Sequence, residues 1–109
     1  GLDEVSGAGP TIAVAMGSAK MSARIVPEDA GVQRHPIDAI RGGDPAYNAT
    51  ALRQLLTGTH GAYRDAVLLN AAVALTLVGE PLENGARRAA EAIDSGAAND
   101  LLDRWIAWA

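Results

Sequence analysis

Asp3 and Glu4 are the residues whose types and spacing point most directly to chemistry. They stand in the word Gly1-Leu2-Asp3-Glu4, just ahead of the glycine-rich run Ser6-Gly7-Ala8-Gly9-Pro10. Carboxylate oxygens on a short loop suit magnesium, which keeps several of its waters and takes one or two protein carboxylates plus substrate phosphate oxygens. Neighbouring side chains on extended backbone leave to opposite sides. The pair is thus arranged to serve two ions, or to hold one directly and another through water. An exposed acidic pair is in most proteins only solvated, so residue type alone does not decide.

Other candidates have blander explanations. Gly42-Gly43-Asp44 looks like a phosphate-cradling glycine loop but lacks a preceding buried strand. Asp44 is a good helix N-cap and Pro45 suits the first helical position, so a turn and cap is expected there. His35 and His60 lie in polar, turn-rich sequence with no carboxylate or second histidine at ligand spacing, and both read as surface residues. Arg87-Arg88 reads as a solvated helix face. Asn70 is different. It lies within an apolar helix, where its amide needs partners, and the loop bearing Asp3 is a candidate to supply them.

Composition narrows the class. At 109 residues the chain is one domain or part of one. Its 49 % hydrophobic content includes no Phe and only 4 % aromatics, with Ala abundant. An Ala-rich core implies helices in close approach, each side chain burying little area at about 25 cal/mol per Å². Zero Cys excludes disulfides, thiolate metal sites and thiol catalysis, and fits a reducing, cytoplasmic setting. A net charge of −4 argues against a broad nucleic-acid surface. No apolar run reaches the ~20 residues of a membrane span; the longest, residues 66–78, contains Asn70 and Thr76.

The elements that must position these residues can be read from periodicity. In residues 11–16, Ile12, Val14 and Met16 alternate, and in residues 21–26 Met21, Ala23 and Ile25 do the same. With Gly17-Ser18-Ala19-Lys20 between them they form a hairpin, which Pro27 ends. A lone hairpin is marginal in water, so a wider sheet with strands upstream of Gly1 is expected. A turn of helix is expected over residues 36–41. A helix from Asp44 to about Gly58 buries Ala49, Leu52, Leu55 and Leu56. A second, over residues 62–78, is apolar almost all round and buried on several sides. A third carries Leu82, Ala86, Ala89, Ala90 and Ile93 on one stripe, with Glu83, Arg87 and Glu91 as i,i+4 pairs. The last covers residues 97–108, with Leu101, Leu102, Trp105 and Ile106 facing inward and Trp108 partly exposed or docking onto other structure. The fold class is an α/β fragment: one β-hairpin from a mixed sheet followed by four main α-helices.

The order of short words is more specific than any one of them. Gly1-Leu2-Asp3-Glu4 is followed by Gly9-Pro10-Thr11 and Pro27-Glu28-Asp29-Ala30-Gly31. Then come Gly42-Gly43-Asp44 with Asn48-Ala49, Leu56-Thr57-Gly58, Leu69-Asn70-Ala71-Ala72 and Ile93-Asp94-Ser95-Gly96-Ala97-Ala98. In this order the chain resembles the C-terminal third of the anthranilate phosphoribosyltransferase family, from Gly1 to about Ile106. The resemblance implies the C-terminal part of an α/β catalytic domain of the nucleoside phosphorylase type, spanning residues 1–109. It implies magnesium-dependent transfer of a phosphoribosyl group from phosphoribosyl diphosphate to anthranilate in tryptophan biosynthesis. The metal role falls on Asp3 and Glu4, which alone match the family's acidic word. The family's diphosphate loop, anthranilate pocket and most homodimer contacts lie upstream, so the 109 residues alone are expected to be inactive. Two rivals remain: a nucleic-acid-binding paralogue of the same fold, and a stand-alone helical interaction module.

Overall fold

The computed structural model describes residues 2–17 and 24–109. Two short strands come first, β1 (Thr11–Ile12) and β2 (Arg24–Ile25), paired antiparallel with Thr11 opposite Ile25 and Ile12 opposite Arg24. The ladder is shorter than the alternation predicts, since residues 13–16 form no strand. The expected turn residues Ser18, Ala19 and Lys20, and the expected strand residues Met21, Ser22 and Ala23, lie outside the described residues. Ile12, Val14 and Met16 are 75 %, 85 % and 88 % exposed, whereas Ala13 packs on the core. The alternation is thus present, but its large residues face out. Ile25 is fully buried and Arg24 exposed, as the pattern predicts.

After β2 the chain turns through a 3-10 helix, Pro27–Ala30, and a second, Ile37–Ile40, where a turn of helix was expected. Four α-helices follow: α1 (Pro45–Leu56), α2 (Ala62–Thr76), α3 (Leu82–Asp94) and α4 (Ala97–Trp108). Their limits follow local chemistry. The Asp44 carboxylate caps α1 by accepting from the Tyr47 N–H at 2.8 Å, and Pro45 opens the helix. Gly58, Gly79 and Gly96 follow α1, α2 and α3 at positive φ, where a side chain would be strained.

The core has two parts, and α2 bridges them. Leu69 and Ala72 join Ile25, Ala30 and Ala86 on one side; Leu68 joins Leu55 and Ile93 on the other. A helix with apolar residues nearly all round can serve two clusters at once. Between α2 and α3 the approach is close: a Cβ at Gly85 would lie 3.0 Å from the Ala72 Cα. The small residues Ala72, Gly85 and Ala86 permit that spacing. The solvent face of α3 carries Arg87, paired to Glu91 at 2.8 Å, and Arg88, paired to Glu80 at 2.5 Å. The wet-face reading holds for both arginines, although Glu83 joins no such pair among the described residues.

Two packing expectations fail. Ala49 is exposed, so α1 buries only Leu55 fully, with Leu52 and Leu56 half-buried. In α4 no residue is buried. Trp105 is 66 % exposed and Leu101 and Ile106 nearly as much, so the inward stripe faces solvent; only Leu102 is half-buried. The periodicity of α4 is real, but α4 meets the body mainly through α1 and α3. Trp108 at 85 % exposed matches its expected position.

Candidate functional site

Asp3 and Glu4 lie on an exposed bend. Neither carboxylate has a hydrogen bond or ion pair among the described residues, so their oxygens are free to bind. Glu4 lines a cleft of about 590 Å³ together with Leu2, Val5, Tyr63, Val67 and Asn70, while Asp3 lies outside that lining. The cleft therefore separates the two acids: one looks onto an apolar recess and the other does not.

The loop that carries them is fixed from α2. Val5, immediately after Glu4, donates its N–H to the Asn70 Oδ1 at 2.8 Å and accepts at its carbonyl from the Asn70 Nδ2 at 3.1 Å. The amide thus mimics a strand neighbour, satisfying both backbone groups of one residue. The same Nδ2 also reaches the Ala66 carbonyl at 2.9 Å. Asn70 therefore ties α2 to the acidic loop, as the sequence allowed.

A second tie was not foreseen. The His35 N–H donates to the Gly7 carbonyl at 3.0 Å, and the His35 Nε2 lies 2.7 Å from the Asp65 Oδ2. Both side chains are about three-quarters buried. His35 is thus not a surface residue, and its carboxylate partner stands thirty positions away, where no local spacing reveals it. Asp65 and Asn70 lie on one helix: Asn70 bonds Val5 directly, and Asp65 holds His35, whose backbone N–H bonds Gly7. Within the loop the Ser6 N–H donates to the Thr11 Oγ1 and the Ala8 N–H to the Ser6 Oγ. His60 is exposed, as expected.

Gly42-Gly43-Asp44 is a turn and cap. The Gly43 N–H donates to the Asn48 Oδ1 at 2.9 Å, and the Asn48 Nδ2 returns a bond to the Gly43 carbonyl at 3.0 Å. A Cβ on Gly42 would meet that same Oδ1 at 2.9 Å. The glycines serve the Asn48 contact, not a phosphate.

Whether magnesium fits can be tested on the donors alone. Among the described residues no group of three or more His, Asp or Glu side chains converges on one point. A full protein cage is therefore not what these residues make. Two hard, unengaged carboxylates beside an open cleft suit an ion that completes its shell with water and substrate oxygens.

The sequence itself matches a known class. The family described as "Glycosyl transferase family, a/b domain" matches residues 1–99, and the chain belongs to it. Within that class the chain is similar to curated proteins named anthranilate phosphoribosyltransferase. It is 52 % identical to that of Novosphingobium aromaticivorans over 98 % of the chain and 33 % of the relative. It is 51 % identical to that of Sphingopyxis alaskensis over 99 % and 33 %. The protein of Mesorhizobium japonicum is 47 % identical over 97 % and 32 %. The chain spans about a third of the length of these relatives. The resemblance read from the ordered words is borne out.

Proposed function

We propose that the intact protein carrying this chain is an anthranilate phosphoribosyltransferase, and that Asp3 and Glu4 hold the magnesium that accompanies phosphoribosyl diphosphate. The observation that carries this reading is the acidic pair itself: free of other partners, exposed, and fixed at its base by Asn70 and His35. Displacement at the ribose carbon leaves negative charge on the departing diphosphate, and a divalent cation at that place stabilises it. The chain's own contribution is positioning. Asn70 fixes the backbone directly after Glu4, so the carboxylates need not be ordered when substrate arrives. Leu2, Ile37, Ile40 and Val67 line the recess beside Glu4.

In this reading residues 1–109 are the C-terminal part of the catalytic α/β domain. The intact enzyme works in the cytoplasm, as a homodimer, in tryptophan biosynthesis. The 109 residues alone transfer no phosphoribosyl group, because orientation of two reactants accounts for about 7–11 kcal/mol of such a barrier and two carboxylates do not provide it. Anthranilate-dependent diphosphate release from the intact protein, and none from the 109-residue chain, is the expected outcome. Release by the short chain, or none by the intact protein with magnesium supplied, would contradict the proposal.

A further inference from the structure

Asn70 holds the acidic loop at a single residue. Val5 is bonded to its amide through both backbone groups, and a segment held at one residue can still pivot about it. The structure supplies a second hold two residues on, where the Gly7 carbonyl accepts from the His35 N–H at 3.0 Å. With Val5 and Gly7 both fixed, the direction of the backbone leaving Glu4 is set as well as its place. Between the two holds, the Ser6 N–H is engaged by the Thr11 Oγ1 at 3.0 Å.

The second hold needs a support of its own. Residues 32–36 belong to no helix or strand, so no ladder of backbone bonds keeps the His35 N–H where Gly7 can reach it. The His35 side chain does so. Its Nε2 lies 2.7 Å from the Oδ2 of Asp65 on α2. An ionised carboxylate only accepts, so the Nε2 donates in this bond. The two side chains are 23 % and 22 % exposed, and a hydrogen bond shielded from water holds its geometry better than one on the surface. Arg34, the neighbouring cation, is bonded instead to Glu28 at 3.0 Å. Neither His35 nor Asp65 lines the cleft beside Glu4.

We propose that His35 and Asp65 are positioning residues for the magnesium site. Their pair sets the N–H that holds Gly7, and together with Asn70 it makes a two-point clamp on the acidic loop, both points built on α2. Neither side chain touches the ion or the substrate; each acts through the backbone that carries Asp3 and Glu4. The inference rests on the role proposed for those two acids. Partners that orient metal ligands from outside are worth roughly 10–100-fold in metal affinity, and a clamp acting through backbone belongs at the lower end of that range.

Magnesium titrations of phosphoribosyl transfer by the intact protein test it, with hydrogen–deuterium exchange over residues 2–11 followed in the same variants. In His35→Ala the half-saturating magnesium concentration should rise on the order of tenfold, with turnover at saturating magnesium largely kept and exchange over residues 2–11 faster. Asp65→Ala should match it, and the double variant should be no worse than either single one, because the two residues act as a unit. His35→Gln, whose amide N–H reaches toward Asp65 much as the Nε2 does, should restore most of the magnesium affinity. Ile93→Ala is the control: it hollows the core cluster shared with Leu55 and Leu68 and touches neither hold, so it should lower stability and leave the magnesium curve in place. An unshifted curve in His35→Ala beside a shifted one in Asp3→Asn would overturn the clamp and spare the metal site, whereas no shift in either would remove both. An equal shift in Ile93→Ala, or no recovery in His35→Gln, would also overturn the clamp by reducing the pair to general stability.

Discussion

Replacing Asn70 with Leu separates a structural tie from an incidental contact. The amide serves three backbone groups: the Val5 N–H at 2.8 Å, the Val5 carbonyl at 3.1 Å and the Ala66 carbonyl at 2.9 Å. The Ala66 carbonyl lies inside α2 and has its own helical donor, so its loss costs little. Among the described residues the two Val5 groups make no other hydrogen bond. A stranded buried group costs about 1–3 kcal/mol, but the loop is only partly buried and water recovers some of that. Leu also adds apolar area facing Leu2, Val67 and Tyr63 in the cleft. The balance is about 1–2 kcal/mol of destabilisation for the pair. Urea denaturation of the intact protein reads this as a lower midpoint at unchanged slope. Asn70→Ser is the companion variant: too short to bridge Val5, it should cost at least as much. The activity consequence is more specific than the stability one. With Val5 released, the half-saturating magnesium concentration should rise in Asn70→Leu well below its unfolding temperature. A midpoint at or above that of the unsubstituted protein, with magnesium dependence unchanged, would refute the claim that Asn70 holds the acidic loop.

Three further outcomes follow from other parts of the fold. Gly85→Ala places a methyl 3.0 Å from the Ala72 Cα and 3.2 Å from its carbonyl oxygen, both backbone atoms that cannot step aside; α2 and α3 must separate, for an expected loss of about 1–3 kcal/mol in thermal unfolding. Trp105→Ala in the 109-residue chain should shift unfolding far less than the roughly 3–5 kcal/mol of a core tryptophan, because Trp105 is 66 % exposed. The Arg34 guanidinium, hydrogen-bonded to both oxygens of Glu28 and attracting its charge, holds that carboxyl below its ordinary value of 4.5. A depressed folded-state value means that this stabilisation is present above 4.5 and lost as pH falls through the lower folded value. Arg34→Gln should therefore return the Glu28 titration, followed by carboxyl NMR, toward 4.5.

Helices and their ends were legible because their signals are local. Asp44 with Pro45, the stripe from Leu82 to Ile93 and the glycines after α1, α2 and α3 act within a turn or two of themselves. The Asn70 tie was legible for a related reason: a lone amide in an apolar helix must find partners wherever they are. His35 was not, since a histidine among polar neighbours gives no sign of an aspartate thirty residues on. Nor was Arg64. Its buried guanidinium looks like an ordinary charged residue at a helix start until α3 brings Asp94 against it. For α4 the stripe was legible but its surroundings were not. Periodicity says which residues share a face, while burial depends on what else stands opposite. The hairpin shows the same limit, with Ile12, Val14 and Met16 on one face that nothing in the described structure covers.

The role of the acidic pair is decided by a magnesium titration of phosphoribosyl transfer in the intact protein and in Asp3→Asn and Glu4→Gln. Each substitution keeps the size and removes one charged ligand, on an exposed bend where unfolding temperature should hardly change. The expected result is a lower turnover and a higher half-saturating magnesium concentration in both variants, with the double variant worse than either. Magnesium curves that overlay that of the unsubstituted enzyme, at equal turnover, would leave Asp3 and Glu4 as solvated surface charges and remove the metal site from this loop.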